Sequence, residues 1–495
     1  MNKLLLKIKS IGLFFFRTYR KRRVKPIRMR DEQLQVLNSK YNKQRFYGPQ
    51  KYFCYAPFGS LFISYSGKVS PCYACNINES MEHKSILEIW NGDAFQSLRN
   101  DISRGIIPEA CSFCSNHFES EDYGSILANK YDHYLMSATG LPVIAELELS
   151  NQCNLECVMC TGSLSSAIRK NRENLPAVIS KLPENFIGQF QPILKHLKSL
   201  ELTGGDPFLI NIYFDILHLA ETINPKIDVL ITTNANTFNT NTELLLQKKL
   251  KLSFNVSIDS LVESTYSEIR RNGSLKTALK NIEIFSRYTQ EHNTSLGFLI
   301  CPLKENWKEL PNFVEFANKH GATLSYHVVF KPAEHALWSL SSVELVEISY
   351  YLKSFHFKGY DFNSNINVKS YDSLVHLIDS WYNKAILREE NMVALLSKME
   401  LDINSARTIL VDKINDADLF AKIEESISKT DIKEHPGLIY IALSKKSKEE
   451  LVEGLNSYTQ SELTEKLKLY YNEIYSLYFY SLKYSDNDKY KNNTL

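Results

Sequence analysis

Three cysteines fall within eight residues of this chain, Cys153, Cys157 and Cys160, in the run Ser150-Asn151-Gln152-Cys153-Asn154-Leu155-Glu156-Cys157-Val158-Met159-Cys160. Thiolates are soft ligands suited to zinc or iron-sulfur clusters, and three of them on a four-iron cluster leave one iron without a protein ligand. The competing readings are three structural thiols, or a structural zinc site, which usually closes with four ligands in paired spacings. A second group lies upstream: Cys54, Cys72, Cys75, Cys111 and Cys114. Five thiols exceed the four positions of one site, so Cys72 and Cys75 with Cys111 and Cys114 also define a four-thiolate zinc arrangement. No Walker loop, dinucleotide-binding glycine fingerprint or His-Glu-x-x-His helix offers a competing chemistry.

The elements that must hold these residues follow from the hydrophobic pattern. An alternating run from Val143 to Leu149 predicts a strand emptying into the three-cysteine loop. Lys198 to Thr203 predicts a second strand, ending at Gly204-Gly205-Asp206-Pro207, where two glycines let the backbone approach a neighbour closely. Further strands are expected at Ile227 to Thr232, Leu252 to Ile258, Ser295 to Ile300 and Thr323 to Phe330. Helices are expected between them, including one over Val178 to Leu197 and one over Glu263 to Tyr288. Such alternation predicts an α/β fold, a partial (β/α)6 TIM-like barrel with ligands at the C-terminal strand ends. Thr233 and Asn234 then close the third strand, Ser257 and Asp259 the fourth, and Cys301 follows the fifth.

Ahead of the barrel, Leu61 to Tyr65 and Lys68 to Ser70 flank Ser66-Gly67 as a hairpin that brings Cys54 near Cys72. Ser85 to Arg104 has helical periodicity and stops before Cys111-Ser112-Phe113-Cys114. Beyond Lys331, helices are expected at 341–355, 371–387, 390–404 and 462–484, without a cysteine or motif. The chain divides into a basic amphipathic segment (1–45), a hairpin-helix cluster module (46–125), the barrel (140–332) and a helical C-terminal region (333–495), a cap over the barrel mouth or a partner-binding domain.

The Cys-x3-Cys-x2-Cys loop after a first barrel strand resembles the radical S-adenosylmethionine (SAM) superfamily, over about Val143 to Phe330. The resemblance implies a 4Fe-4S cluster on Cys153, Cys157 and Cys160, whose open iron is chelated by SAM. It further implies reductive cleavage to a 5'-deoxyadenosyl radical that takes hydrogen from a substrate. Gly204-Gly205-Asp206-Pro207 resembles the family's Gly-Gly-Glu-Pro motif, whose backbone meets the SAM amino group. Met159 stands where the family usually has an aromatic residue against adenine. Asn234 can face the cofactor by its place at a strand end, and the resemblance implies ribose or carboxylate contacts for Ser257, Asp259 and Arg270, strand-end caps or a surface ion pair being the alternative. A thiol at Cys301 is read as a packing group or a hydrogen donor to a substrate radical. The 46–125 segment resembles the twitch or SPASM type of auxiliary module, which implies a second 4Fe-4S cluster on Cys54, Cys72, Cys111 and Cys114, with Cys75 a spare or alternate ligand. Relatives with such modules modify ribosomally made peptides or oxidise small alcohols or sugars, and draw electrons from a donor such as flavodoxin or ferredoxin. The substrate is not fixed by the resemblance. The rival classes are a zinc-stabilised binding protein and a degenerate SAM-binding scaffold.

Composition is that of a folded protein: 495 residues, 44% hydrophobic and 23% charged, enough for two or three domains. The first thirty residues hold eleven of the 58 Lys and Arg and none of the 56 Asp and Glu, so the remainder is acidic. That basic segment is interrupted by lysine and too short to span a bilayer. Contact with an anionic membrane surface fits it, a mobile or docked tail being the plainer alternative, and a nucleic-acid arm has no supporting fold motif. Clustered cysteines and the lack of a convincing signal peptide predict a reducing cytoplasm, with residues 1–30 at the inner membrane face.

Overall fold

The computed structural model of the protein describes residues 27–28, 32–45, 47–119, 123, 126–133, 140–430, 432 and 435–483. The basic run expected to meet a membrane, up to residue 26, lies outside the described residues. No helix among the described residues is long and apolar enough to cross a membrane. The chain forms two compact units, residues 1–337 with 354–374, and residues 338–353 with 375–495.

The first unit is built on an eight-stranded sheet: β1 (Ser60–Ser64), β2 (Val69–Ser70), β3 (Ile144–Glu148), β4 (Ser199–Leu202), β5 (Asp228–Thr233), β6 (Lys251–Ser257), β7 (Leu296–Ile300) and β8 (Thr323–Tyr326). Strands β3 to β8 lie side by side in chain order and all run parallel, as successive βα units require. This is the expected six-stranded partial barrel. The upstream hairpin does not stand apart from it. β1 pairs in parallel with β3, from Ser60 opposite Ile144 to Ser64 opposite Glu148, and β2 pairs antiparallel with β1. The cysteine-bearing hairpin therefore extends the barrel sheet at its first strand.

Side chains alternate across these strands, and the aromatic contacts fix which face is which. Phe254 of β6 stacks on Phe285 of helix Leu275–His292 at 4.5 Å, and Phe298 of β7 lies 4.9 Å from Phe316 of helix Asn312–Lys319. Leu147, Leu202, Ile231 and Phe254 share that helix-covered face by register, and each is fully buried or nearly so. Burying each such side chain contributes roughly 1.5–3 kcal/mol. The opposite face carries Glu146, Glu201, Ser253, Asn255 and Ser257 among Ile144, Leu230 and Leu299, so the barrel interior is mostly polar.

Several helix expectations change in length. The helix expected over Glu263 to Tyr288 is two, Glu263–Ile269 and Leu275–His292, because Arg270–Arg271 leaves to pair with Glu156–Cys157, and Asn272 takes a positive φ. Val178 to Leu197 narrows to Phe186–Leu194. Ser85 to Arg104 breaks at Gly92, where a Cβ would lie 2.8 Å from the Glu88 carbonyl; a Ser85–Glu88 capping box starts the first piece, Ile86–Asn91.

In the C-terminal region, the helices expected at 371–387 and 390–404 are one continuous helix, Phe362–Ile414, whose residues divide between the two units. The sequence reading missed Ala417–Ser428, Leu438–Ser444 and Lys448–Asn456. Leu410, Ile414, Leu419, Ile423, Leu438, Leu451 and Leu463 form the second unit's own core.

Candidate iron-sulfur and cofactor sites

The three-cysteine loop leaves the C-terminal end of β3 and is tied down by backbone and side-chain bonds. Ser166 Oγ receives the Cys153 N–H at 3.1 Å, and Ser165 Oγ donates to the Leu155 carbonyl at 2.7 Å. Asn151 Nδ2 donates to the Gly162 carbonyl at 2.9 Å, pinching the loop shut. Its middle is a two-residue strand, Glu156–Cys157, paired with Arg270–Arg271, and the Val158 N–H bonds the Ile269 carbonyl at 2.9 Å. Val158 anchors the loop in a small apolar cluster with Ile269, Leu303 and Val329, against which Met159 and Cys301 pack.

The Gly204-Gly205 turn presses directly on this loop. A Cβ on Gly205 would stand 2.1 Å from the Gln152 carbonyl oxygen, and one on Gly204, whose φ is +114°, 2.5 Å from that of Ser150. In that space the Gly205 N–H bonds the Ser150 carbonyl at 3.0 Å and the Asp206 N–H that of Gln152 at 2.8 Å. The close approach that the glycines allow is thus, first, to the cysteine loop itself.

Asp206 and Asp259 were expected among cofactor contacts, and the structure commits both carboxylates to the protein. Asp206 is fully buried: its Oδ2 accepts from Thr233 Oγ1 and the Asn234 N–H, each at 2.8 Å, and its Oδ1 from the Phe208 N–H at 3.1 Å. Burial pushes its pKa up to about 6 against these three donors. Its neighbour Pro207 is buried in the first turn that Asp206 caps. Asp259, also fully buried, accepts the Cys301 N–H at 2.7 Å and lies 2.8 Å from Arg270 Nη2, an ionic contact that is not an aligned hydrogen bond.

Two donors face the cysteine sulfurs. Asn234 Nδ2 lies 3.7 Å from Cys153 Sγ and bonds Asn154 Oδ1 at 3.1 Å, and Arg270 Nη1 lies 3.9 Å from Cys157 Sγ. Arg270 Nε is buried with no partner among the described residues. Burial opposes the charge on Arg270, yet Asp259 and Cys157 outweigh it and hold the guanidinium ionised. Ser257 ends β6 on the polar interior face, opposite Leu299 of β7.

Upstream, a single cavity is lined by all five cysteines, Cys54, Cys72, Cys75, Cys111 and Cys114, with apolar neighbours and Tyr131. The Asn76 N–H bonds the Ala110 carbonyl at 2.8 Å, clamping the Cys72–Cys75 turn to the segment that leads into Cys111. Cys75 pushes the Cys111 thiol toward its neutral form, and burial does so for Cys54, aided by Cys114, Cys72 and Cys111. Among the described residues no three Cys, His, Asp or Glu side chains converge on one metal-ion position; the thiols ring a cavity instead.

Burial pushes Cys157 and Cys72 up to about 12 and Cys160 and Cys114 up to about 11, toward the neutral thiol, and neighbouring thiols push the same way. Gathered thiolates in so dry a setting need compensating positive charge, which iron supplies. The donor set, its apolar surroundings and the orphaned Arg270 Nε fit cluster binding.

The sequence reading missed a charged group inside the barrel. Lys130 Nζ donates to Glu146 Oε2 at 3.0 Å and to Glu201 Oε2 at 2.6 Å, across β3 and β4. Glu148 stands two residues beyond Glu146 on the same face, its pKa pushed up to about 7 by burial and by Glu146. Charged residues alternating with leucine on strands of a parallel sheet were the available signal. Nothing in the local sequence marks Lys130.

Comparison with known proteins agrees with this geometry. The model for the radical SAM superfamily matches residues 147–317, and that for the SPASM iron-sulfur cluster-binding domain matches residues 54–115. The chain therefore carries a radical SAM domain preceded by a SPASM domain. The first kind of domain binds a 4Fe-4S cluster and SAM, and the second an auxiliary iron-sulfur cluster.

A GTP 3',8-cyclase of Clostridium botulinum is 28% identical over 137 residues, 28% of this chain and 41% of that protein, so the chain spans about two fifths of this curated relative. That of Lactiplantibacillus plantarum is 24% identical over 293 residues, 52% of this chain and 81% of that protein. Among solved structures, Streptococcus suis SuiB bound to S-adenosylmethionine is similar over 50% of this chain and 59% of its own, at 18% identity and a TM-score of 0.32. Native anSMEcpe with bound AdoMet is similar over 43% and 58%, at 15% identity and a TM-score of 0.32.

Proposed function

We propose that the protein is a radical SAM enzyme in which Cys153, Cys157 and Cys160 hold the reducing 4Fe-4S cluster and Cys54, Cys72, Cys111 and Cys114 hold an auxiliary one. The observation that carries this reading is the three-cysteine loop at the first barrel strand end, braced by the Gly204-Gly205 backbone and faced by Asn234 and Arg270. Bound there, the cluster and SAM supply reductive cleavage and a 5'-deoxyadenosyl radical that abstracts hydrogen from substrate.

The chain's own residues orient and exclude. Asp206 positions Asn234 through its backbone, Asp259 fixes Arg270 against Cys157, and Met159 and Val158 keep that flank of the loop dry. Met159, Gly204, Gly205, Asn234 and Ser257 remain the residues we assign to SAM, with Asp206, Pro207, Asp259 and Arg270 as positioning residues. The polar interior with Glu146, Glu148, Glu201 and Lys130 suits a substrate rich in hydrogen-bonding groups, a peptide or a small alcohol or sugar. A flavodoxin or ferredoxin serves as electron donor.

Anaerobic reconstitution with iron and sulfide counting, followed by assay of 5'-deoxyadenosine, tests the reading. About eight irons per chain and reductive cleavage are expected. Replacing Cys157 by Ala should abolish cleavage, and cleavage at full rate in that variant would refute the assignment.

A second reading, zinc in the upstream module, has the clamp between the Cys72–Cys75 turn and the Cys111 segment in its favour, and against it that among the described residues no three ligands converge on one metal-ion position. It predicts about four irons and one zinc.

A further inference from the structure

Tyr131 is the one side chain with a hydroxyl among those lining the five-cysteine cavity. It closes the 3-10 turn Leu127–Tyr131 and is 1% exposed, and its hydroxyl makes no hydrogen bond among the described residues. A buried hydroxyl without a partner is costly, and proteins rarely retain one unless a water, ion or cofactor completes it. The groups whose charges act on this hydroxyl are Cys72, Glu146, Cys54 and Glu201. Glu146 and Glu201 already accept from Lys130, the preceding residue, whereas the cavity that Tyr131 lines offers the sulfurs of five cysteines as acceptors.

We infer that the Tyr131 hydroxyl donates a hydrogen bond to the auxiliary cluster, at a sulfide or at the Cys72 or Cys54 thiolate, and thereby raises that cluster's reduction potential. A donor aimed at cluster sulfur stabilises the reduced state, which carries one more negative charge, over the oxidised state. Every other lining side chain, apart from the thiols, is Phe, Ala, Pro or Leu, so Tyr131 is the side chain by which the cavity wall tunes the cluster. The inference rests on the cluster reading of the cavity.

The test is a redox titration of the full-length, anaerobically reconstituted protein, followed by electron paramagnetic resonance without SAM and with iron counted in each sample. Tyr131→Phe should keep about eight irons and move the auxiliary midpoint to lower potential, by about a tenfold change in the oxidation equilibrium, ~59 mV for one electron. Because a lost hydroxyl could also loosen packing, 3,5-difluorotyrosine at position 131 serves as the isosteric counterpart. Its more acidic phenol is a stronger donor and should move the midpoint upward. Iron intact with neither substitution shifting the midpoint, or both shifting it the same way, overturns the inference. About four irons in the unsubstituted protein would instead overturn the cluster reading itself.

Discussion

Replacing Gly205 by Ala tests the joint between the glycine turn and the cysteine loop. The added Cβ would sit 2.1 Å from the Gln152 carbonyl oxygen, 2.4 Å from its carbon and 2.6 Å from the Asn151 carbonyl carbon, whereas ordinary contact begins at 3.4 Å. The obstacle is backbone, which cannot rotate aside, so loop and turn must separate by more than 1 Å. That separation lengthens the bonds from the Gly205 N–H to Ser150 at 3.0 Å and from the Asp206 N–H to Gln152 at 2.8 Å. Overpacking costs about 1–3 kcal/mol and each of the two lost hydrogen bonds about 0.5–1.5, so the loop is destabilised by roughly 2–6 kcal/mol. Cys153 follows Gln152 directly and moves with it. The upstream cysteines do not touch this joint, so reconstituted iron should fall from about eight to about four per chain, with 5'-deoxyadenosine release lost. Gly454→Ala is the control, since nothing lies within 4 Å of its Cβ and its φ is not positive. It should leave iron unchanged and add up to about 1 kcal/mol to its helix. Full iron loading and unchanged cleavage in Gly205→Ala would refute the reasoning.

Three further outcomes follow. Asp259→Asn removes the carboxylate that lies against the buried Arg270 guanidinium, leaving that charge without its ion-pair partner, and should lower stability by about 3–5 kcal/mol in urea unfolding; an unchanged midpoint would show that the pair does not hold the Arg270 turn. Glu148, pushed up to about 7 by burial and by Glu146, is raised above its unfolded value of about 4.3, so its contribution to stability is full below pH 4 and is lost as pH rises to 7. Glu148→Gln should flatten that fall, measured as urea midpoints across the window, and an identical profile in both proteins would contradict it. Cys75→Ala should retain about eight irons while Cys72→Ala retains about four, and equal losses would make Cys75 a ligand.

The residues of the radical SAM domain were legible because their signals are local. Strand alternation from Val143 and Lys198 onward, the Cys-x3-Cys-x2-Cys spacing and the Gly-Gly turn each depend on neighbours in sequence, and the parallel order of β3 to β8 follows from chain order once strands and helices alternate. Helix boundaries were less legible. Arg270–Arg271 reads as mid-helix until Glu156–Cys157 offers it a strand partner, and the helix Phe362–Ile414 reads as two because its hydrophobic pattern weakens in the middle.

The amino-acid order by itself determined which thiols are grouped and which strands carry them, because ligand spacing and side-chain alternation are properties of a few consecutive residues. Tertiary structure alone decided that the hairpin joins β3 at the barrel edge, that Lys130 bridges Glu146 and Glu201, that Asp206 and Asp259 turn their carboxylates to Thr233 and Arg270, and that Tyr131 reaches the cysteine cavity. Each of these is a contact between groups well separated along the chain, and its energy arises only when burial removes water from both partners at once.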